Sequence, residues 1–300
     1  MSLPPATILG VGAVTALGRD LPTIARKLAE SPTPAASHSV DESLLSDVAI
    51  NRRMRRADRF SRMAAIAACD AWNRTSHDVP LDRVGLIIAS GLGPYNRTFR
   101  FLDGILEGGD ANASPTDFSH SVHGAAAAYI TELLELRGPC ITVTDFENGF
   151  EQSVQLAQCW LADGTCSRVI IGAVEELGDL LLHCVGRLDA RLAPGEGAVF
   201  LTLGPSDLVG VAQLDATGMP GHVDLLMVDD PPILTAAAPP QITATRTTSF
   251  TPYFGHLATG SAFQILGRLL SAAASSVDSA ATVKPLWHST SATLCLTKGS

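Results

Sequence analysis

Apolar residues along the chain fall into two patterns. Short, nearly continuous apolar runs bounded by turn residues predict buried strands at Ala6 to Val14, Val84 to Ser90, Cys140 to Thr144, Arg168 to Val174, Ala198 to Leu203, Val223 to Val228 and Ala292 to Thr297. Amphipathic or alanine-rich segments predict helices at Asp20 to Glu30, Arg52 to Trp72, Ser114 to about Leu136, Phe150 to Ala162 and Gly260 to Ala274. Ser31 to Ser39 and Pro231 to Pro240 are rich in Pro, Ser and Ala and predict connections. Strands and helices alternate through the first part of the chain, which argues for an α/β fold with largely buried strands. The second part is less regular, and no short-period repeat occurs.

The 300 residues, 46% hydrophobic and 17% charged, suffice for two fused half-domains or one large domain. No run approaches the roughly 20 uncharged apolar residues that span a bilayer, and Met1 to Gly12 carries no basic segment ahead of its apolar run, so neither membrane insertion nor a secretory signal is expected. The expected location is the cytoplasm. A net charge of -9 argues against general nucleic-acid binding. Cys69, Cys140, Cys159, Cys166, Cys184 and Cys295 are scattered without a CxxC pair, which predicts reduced thiols and no zinc site. Gly10 and Gly12 follow a strand as in a dinucleotide-binding turn, but the third glycine position holds Thr15 and Gly18 comes too late. No Walker A, HExxH or GxSxG motif is present, so no cofactor and no metal are expected.

One basic cluster stands out against the acidic total: Arg52, Arg53, Arg55, Arg56, Arg59 and Arg62. A solvated helix face paired with Asp58 would account for it. So would docking of an acidic partner, with Arg52, Arg53, Arg55 and Arg56 as the contact residues.

Several blocks, in order along nearly the whole chain, resemble the β-ketoacyl synthase family. Ile8 to Gly18 is similar to its opening strand and loop, Met54 to Arg62 to its basic helix start, and Arg137 to Val143 to the strand that delivers the nucleophile. Pro194 to Leu201 resembles its Gly-Glu-Gly-Ala strand and Gly255 to Ala262 its Gly-His-Leu helix. Phe118 to Gly124 resembles the chain-length-factor branch found in aryl-polyene and related type II systems. The resemblance implies a thiolase-type fold, five αβαβα layers made of two similar halves, and an obligate dimer. On that basis residues 1–190 are expected to form the first half and 191–300 a shortened second half.

A synthase of this kind uses a cysteine at a strand–turn–helix elbow, two histidines and a backbone oxyanion hole. The elbow is expected at Asp145 to Gly149, and matching on Gly149 puts Phe146 in the nucleophile position. Phenylalanine has no lone pair with which to attack a thioester. The first histidine position falls on Asp229. A carboxylate about 4 Å from a malonyl carboxylate would oppose binding by roughly 4 kcal/mol at an effective dielectric near 20. The second histidine is retained as His256, the lysine position holds Thr251, and the glycine-rich switch loop corresponds to a segment containing Trp287 and His288, where its glycines are lost.

The resemblance therefore implies a non-catalytic chain-length factor that pairs with an active ketosynthase, meets its acyl carrier protein, and shapes the acyl tunnel with a helix from Thr116 to Ala128. Phe118, Ser121, Val122, His123 and Tyr129 would lie at the tunnel end, with the Ala125 to Ala128 block allowing close helix packing. Alternatively the alanines are ordinary packing residues, and His120 and His123 lie on a helix surface. Two other functions stay open: a rewired hydrolase or decarboxylase using His256 with Asp229 or Glu147, and a homodimeric acyl-binding scaffold.

Overall fold

Alternate residues of the central strands feed two separate apolar cores, one on each face of a single sheet. The computed structural model describes residues 3–146, 148–188, 192–215, 226–227, 250–272, 279–283 and 292–298. Its strands are β1 (Ala6–Thr15), β2 (Val84–Ser90), β3 (Cys140–Thr144), β4 (Arg168–Glu175), β5 (Gly197–Gly204), β6 (Ala212–Asp215), β7 (Leu226–Met227), β8 (Ser279–Val283) and β9 (Ala292–Lys298). They form one sheet in the order β3-β2-β4-β5-β1-β6-β9-β8-β7. β2 pairs in parallel with both β3 and β4, and β5 runs antiparallel between β4 and β1. The sheet thus continues across residue 190, taking β5 between two strands of the preceding segment.

The helices are α1 (Leu21–Leu28), α2 (Val48–Arg53), α3 (Arg59–Asn73), α4 (Tyr95–Gly108), α5 (Pro115–Ser121), α6 (Ala125–Leu134), α7 (Gly149–Ala162), α8 (Asp179–Leu188), α9 (Thr251–Phe254) and α10 (Gly260–Ala272). Ile87, Ala89, Ile171, Val199 and Leu201 point into the core shared with α1, α7 and α10, whereas Leu86, Ile88, Ile170, Val174 and Phe200 point into the core under α3 and α6. Burial on both faces explains why these strands read as unbroken apolar runs rather than alternating ones. Among the described residues no helix is long and apolar enough to cross a membrane.

The two helices expected to be longest are each divided. The basic helix ends at Arg53, and a second begins at Arg59 behind Asp58, whose carboxylate accepts the Ser61 N–H at 2.8 Å. Asp58 therefore caps a helix instead of pairing with the arginines around it. The segment expected to run from Ser114 to about Leu136 breaks after Ser121, where Val122 turns extended (ψ 139°) and Gly124 opens α6.

The glycines of the apparent dinucleotide motif have a packing role. A Cβ on Gly10 would lie 2.2 Å from Ala71 O, and one on Gly12 would lie 2.0 Å from Ala67 O. Without side chains, β1 accepts the backbone of α3 directly, and α3 is buried along most of its length. At the start of α3, Arg59 enters the core edge. Its guanidinium meets Glu196 through Nη2–Oε1 at 2.6 Å and Nε–Oε2 at 3.2 Å, and also contacts Glu42 and the Val40 carbonyl. Glu196 is only 2% exposed, so removing its cation strands a buried charge. Arg59→Met is expected to cost about 3 kcal/mol, read as a lower urea midpoint, while Arg55→Met on the exposed surface should shift stability by less than about 0.5 kcal/mol.

Candidate functional site

The elbow forms where the end of edge strand β3 turns into α7. The Asp145 N–H donates to Ser90 O at 3.3 Å, which ties the turn to the end of β2. The Asp145 carboxylate then accepts from the Asn148 N–H (3.1 Å) and Gln152 Nε2 (2.8 Å), satisfying donors at the start of the helix. Phe146 projects from this turn 49% exposed. A Cβ on Gly91 would stand 3.5 Å from its ring and 2.2 Å from the Ala258 side chain, so glycine lets the segment before α10 close onto the loop after β2.

That closure is held by Glu175, the last residue of β4. Its Oε1 accepts from the Gly91 N–H (2.7 Å) and from Thr259 Oγ1 (3.0 Å), and Ser90 Oγ lies 3.4 Å from Oε2. Burial pushes the carboxyl up to about 7, against the pull of these hydrogen bonds. The next residue, Glu176, accepts the Asn96 N–H at the start of α4 (3.0 Å), and burial likewise raises it to about 7. On α7, burial also lifts Glu151 to about 7, while a hydrogen bond from Ser261 of α10 opposes the shift. Glu196 completes the frame, accepting from the Val40 N–H (2.8 Å) and the Leu177 N–H (3.1 Å).

His256 lies two residues before Ala258 and is half-buried. Its Nδ1 sits 3.2 Å from Ala193 O, and its backbone bonds to Ala193 and Gly195. His38 lies near it, with a pKa lowered by burial and by the neighbouring imidazole. Thr251 begins α9, where its Oγ1 accepts from Gln264 Nε2 at 3.1 Å. Glu147, Asp229, Trp287 and His288 lie outside the described residues. Among the described residues, then, the elbow presents the exposed aromatic ring of Phe146. Its near acids are occupied, Asp145 as a helix cap and Glu175 as a buried strut.

The residues assigned to a tunnel end divide between two places. His123 rests against Gly93, where an added Cβ would lie 2.4 Å from the imidazole, so the α5–α6 corner adjoins the loop that carries Gly91. Val122 (44% exposed) follows Ser121, whose carbonyl accepts from Thr98 Oγ1 at 3.2 Å. Phe118, 56% exposed, packs on Phe101 of α4 with ring centroids 5.4 Å apart. Tyr129 lies instead on α6, hydrogen-bonded to a buried His120 at 2.8 Å. Ala125, Ala126 and Ala127 are buried, whereas Ala128 is exposed.

The basic cluster also divides. Arg53 donates to the Glu132 and Leu133 carbonyls at the end of α6 (2.7 and 3.0 Å), and Arg59 is committed to Glu196. Arg52, Arg55 and Arg56 are exposed. Glu175, Glu176, Glu196, His38 and the His120–Tyr129 bond join the expected residues only in the folded chain. The adjacent acids closing an apolar strand at Glu175 and Glu176 were the available signal.

A family model described as the N-terminal domain of β-ketoacyl synthase matches residues 29–184, more than half of the chain. The chain belongs to the β-ketoacyl synthase family. No curated protein matches it at a significant level. Its fold is the thiolase-type α/β fold. Similar solved structures include a type II PKS acyl-carrier protein in complex with its ketosynthase bound to the hexaketide, at 16% identity and TM-score 0.76, covering 100% of both chains. The ishigamide ketosynthase/chain length factor aligns at 16% identity and TM-score 0.72 over 99% of this chain and 100% of that one. A ketosynthase in complex with its chain length factor from Xenorhabdus doucetiae aligns at 18% identity and TM-score 0.54, over 67% of this chain and 79% of that one. Within the family region lie the elbow, Glu175, Glu176 and helices α4 to α6, so most of the site belongs to the matched domain.

Burial holds the Glu175 carboxyl at about 7 in the fold, above its ordinary value in the unfolded chain. Its stabilising contribution is therefore complete below about pH 4.5 and is lost as pH rises through about 7. Glu175→Gln keeps a neutral group that can donate to Ser90 Oγ. The variant should gain roughly 3 kcal/mol relative to wild type between about pH 4.5 and about pH 8. Urea titrations of both proteins at several pH values measure this; parallel pH profiles would show that Glu175 is ionised throughout.

Proposed function

We propose that this β-ketoacyl synthase family member is a non-catalytic chain-length-factor subunit. It pairs with an active β-ketoacyl-carrier-protein synthase and shapes the acyl tunnel during chain elongation in a type II polyketide, polyene or fatty-acid-like system of the cytoplasm. The observation that carries this reading is Phe146 on an intact elbow: the turn, its helix cap and its tie to β2 persist, while the group that would attack a thioester is absent. A chain that keeps the frame without the nucleophile is suited to supply a surface to a catalytic partner.

Two further observations support pairing. β3 is an edge strand with β2 as its one partner among the described residues, and Ile141 on it is 42% exposed. An open edge carrying apolar side chains is a ready docking strand. Phe118 and Val122 add exposed apolar surface beside the loop that carries Gly91 and Gly93. Arg52, Arg55 and Arg56 offer cations to an acidic carrier protein, while Arg53 serves the fold.

Co-expression with the ketosynthase encoded beside it, followed by purification through a tag on this chain alone, should yield a one-to-one complex. That complex should condense acyl- and malonyl-carrier protein. Activity should persist in Phe146→Ala and vanish when the partner's active-site cysteine is replaced. A homodimer that ignores the ketosynthase would overturn the proposal. In the active complex, Arg55→Glu with Arg56→Glu should raise the KM for carrier protein several-fold with kcat unchanged, and more so at low salt.

A further inference from the structure

A groove of about 440 Å³ runs along one side of α4, between that helix and the chain from Asn112 to Asp117. Phe99 and Phe101 line it with aromatic rings, and Asp103, Glu107 and Asp117 line it with carboxylates. Arg97 and Arg100 engage Asp117 at 2.9 and 3.5 Å. Asp103 and Glu107, one helical turn apart, are exposed and form no ion pair among the described residues. Leu102 and Leu106 lie outside this groove and remain exposed beside it. Rings next to unpaired carboxylates suit a guanidinium, whose planar cation stacks on a ring face while its N–H groups fork onto a carboxylate.

The same chain carries the complement. Arg52, Arg55 and Arg56, at the end of α2 and on the turn before α3, are exposed and form no ion pair among the described residues. Arg53, Arg59 and Arg62 instead reach carbonyls or carboxylates of the fold. Helix α6 lies between the two surfaces. Arg53 binds the carbonyls of its last turn, beside the exposed arginines, and its first turn follows directly from α5, which packs on α4. Over its ten residues α6 rises about 15 Å, and Ala128 on its exposed side holds no bulk against an approaching surface. A two-fold axis over α6 would set each copy's arginines against the other's groove, and the two equivalent contacts would close a dimer.

We propose that this chain self-associates through these two surfaces: Arg55 and Arg56 of one copy seat in the groove of Phe99, Asp103 and Glu107 on the other. Charge complementarity selects the occupant. The chain's net charge of -9 makes two copies repel over long range, so association depends on these local opposite charges. The contact uses no residue of β3, the strand offered above to a ketosynthase. It does occupy arginines offered above to a carrier protein, so a self-associated chain withholds them from that partner. Self-association of the chain alone does not rest on the chain-length-factor reading.

The test is sedimentation velocity on the full chain over a concentration series. Wild type should pass from monomer to dimer as concentration rises. Asp103→Arg with Glu107→Arg should raise the dissociation constant at least tenfold, and so should Arg55→Glu with Arg56→Glu. All four positions are exposed, so circular dichroism and the urea midpoint should stay close to wild type. The chain carrying all four substitutions has the opposite charges exchanged between the two surfaces and should recover wild-type association. A wild-type chain that stays monomeric throughout would overturn the proposal. So would a dimer that tolerates either charge reversal, since its contact then lies elsewhere, with β3 the first alternative. A folded chain with all four substitutions that stays monomeric would overturn it as well. Ketosynthase binding is read separately by the co-purification above, so the two proposals fail independently.

Discussion

Three buried carboxyl groups at the ends of two neighbouring antiparallel strands hold the working end of this protein together. Glu175 ends β4 opposite Gly197 of β5, with Glu176 and Glu196 beside that pair. Each collects donors from segments far away in the chain: Glu196 from Val40, Arg59 and Leu177, Glu176 from Asn96, and Glu175 from Gly91 and Thr259. Removing a carboxyl from water is costly unless such donors meet it, and the donors here are the loops that surround the elbow. The site is thus shaped by acceptors beneath it, and none of these bonds involves the Phe146 side chain.

The frame separates two kinds of surface. Beneath it α3 lies against β1, with Gly10 and Gly12 admitting its backbone. Outside it, α4 and α5 leave large apolar side chains in water, and the edge strand β3 is itself exposed. Apolar surface of that extent marks contact with something else. On the proposed reading, a catalytic partner would cover that surface.

Much of the fold was legible because its cues are local. The strands Val84 to Ser90 and Cys140 to Thr144 coincide with their predicted limits, since turn residues bound each short apolar run. The helix from Arg52 was overextended because an arginine-rich, alanine-rich stretch suits a helix throughout. Its break depends on Asp58 turning out of the helix to cap the next one, with Met54 buried beneath. The helix α4 escaped notice, its apolar positions being spread thinly along a polar and glycine-ended segment. At the site, the elbow could be read directly, because it depends on contiguous residues. His120 could not: its sequence neighbours suit a helix surface, whereas the fold buries it beside Tyr129.

By itself the sequence determined the α/β alternation, the two-faced burial of the central strands, the family and the place of the strand–turn–helix elbow, all of which follow from side-chain order within short windows. The tertiary structure alone decided that Gly10 and Gly12 serve helix packing, that Asp58 is a cap, that Arg53 and Arg59 belong to the fold while Arg52, Arg55 and Arg56 stay in solvent, and that three acids form one frame. Burial and hydrogen bonding between residues separated by tens of positions raise or lower the cost of a charge according to what the folded chain brings beside it. No window of sequence carries that information.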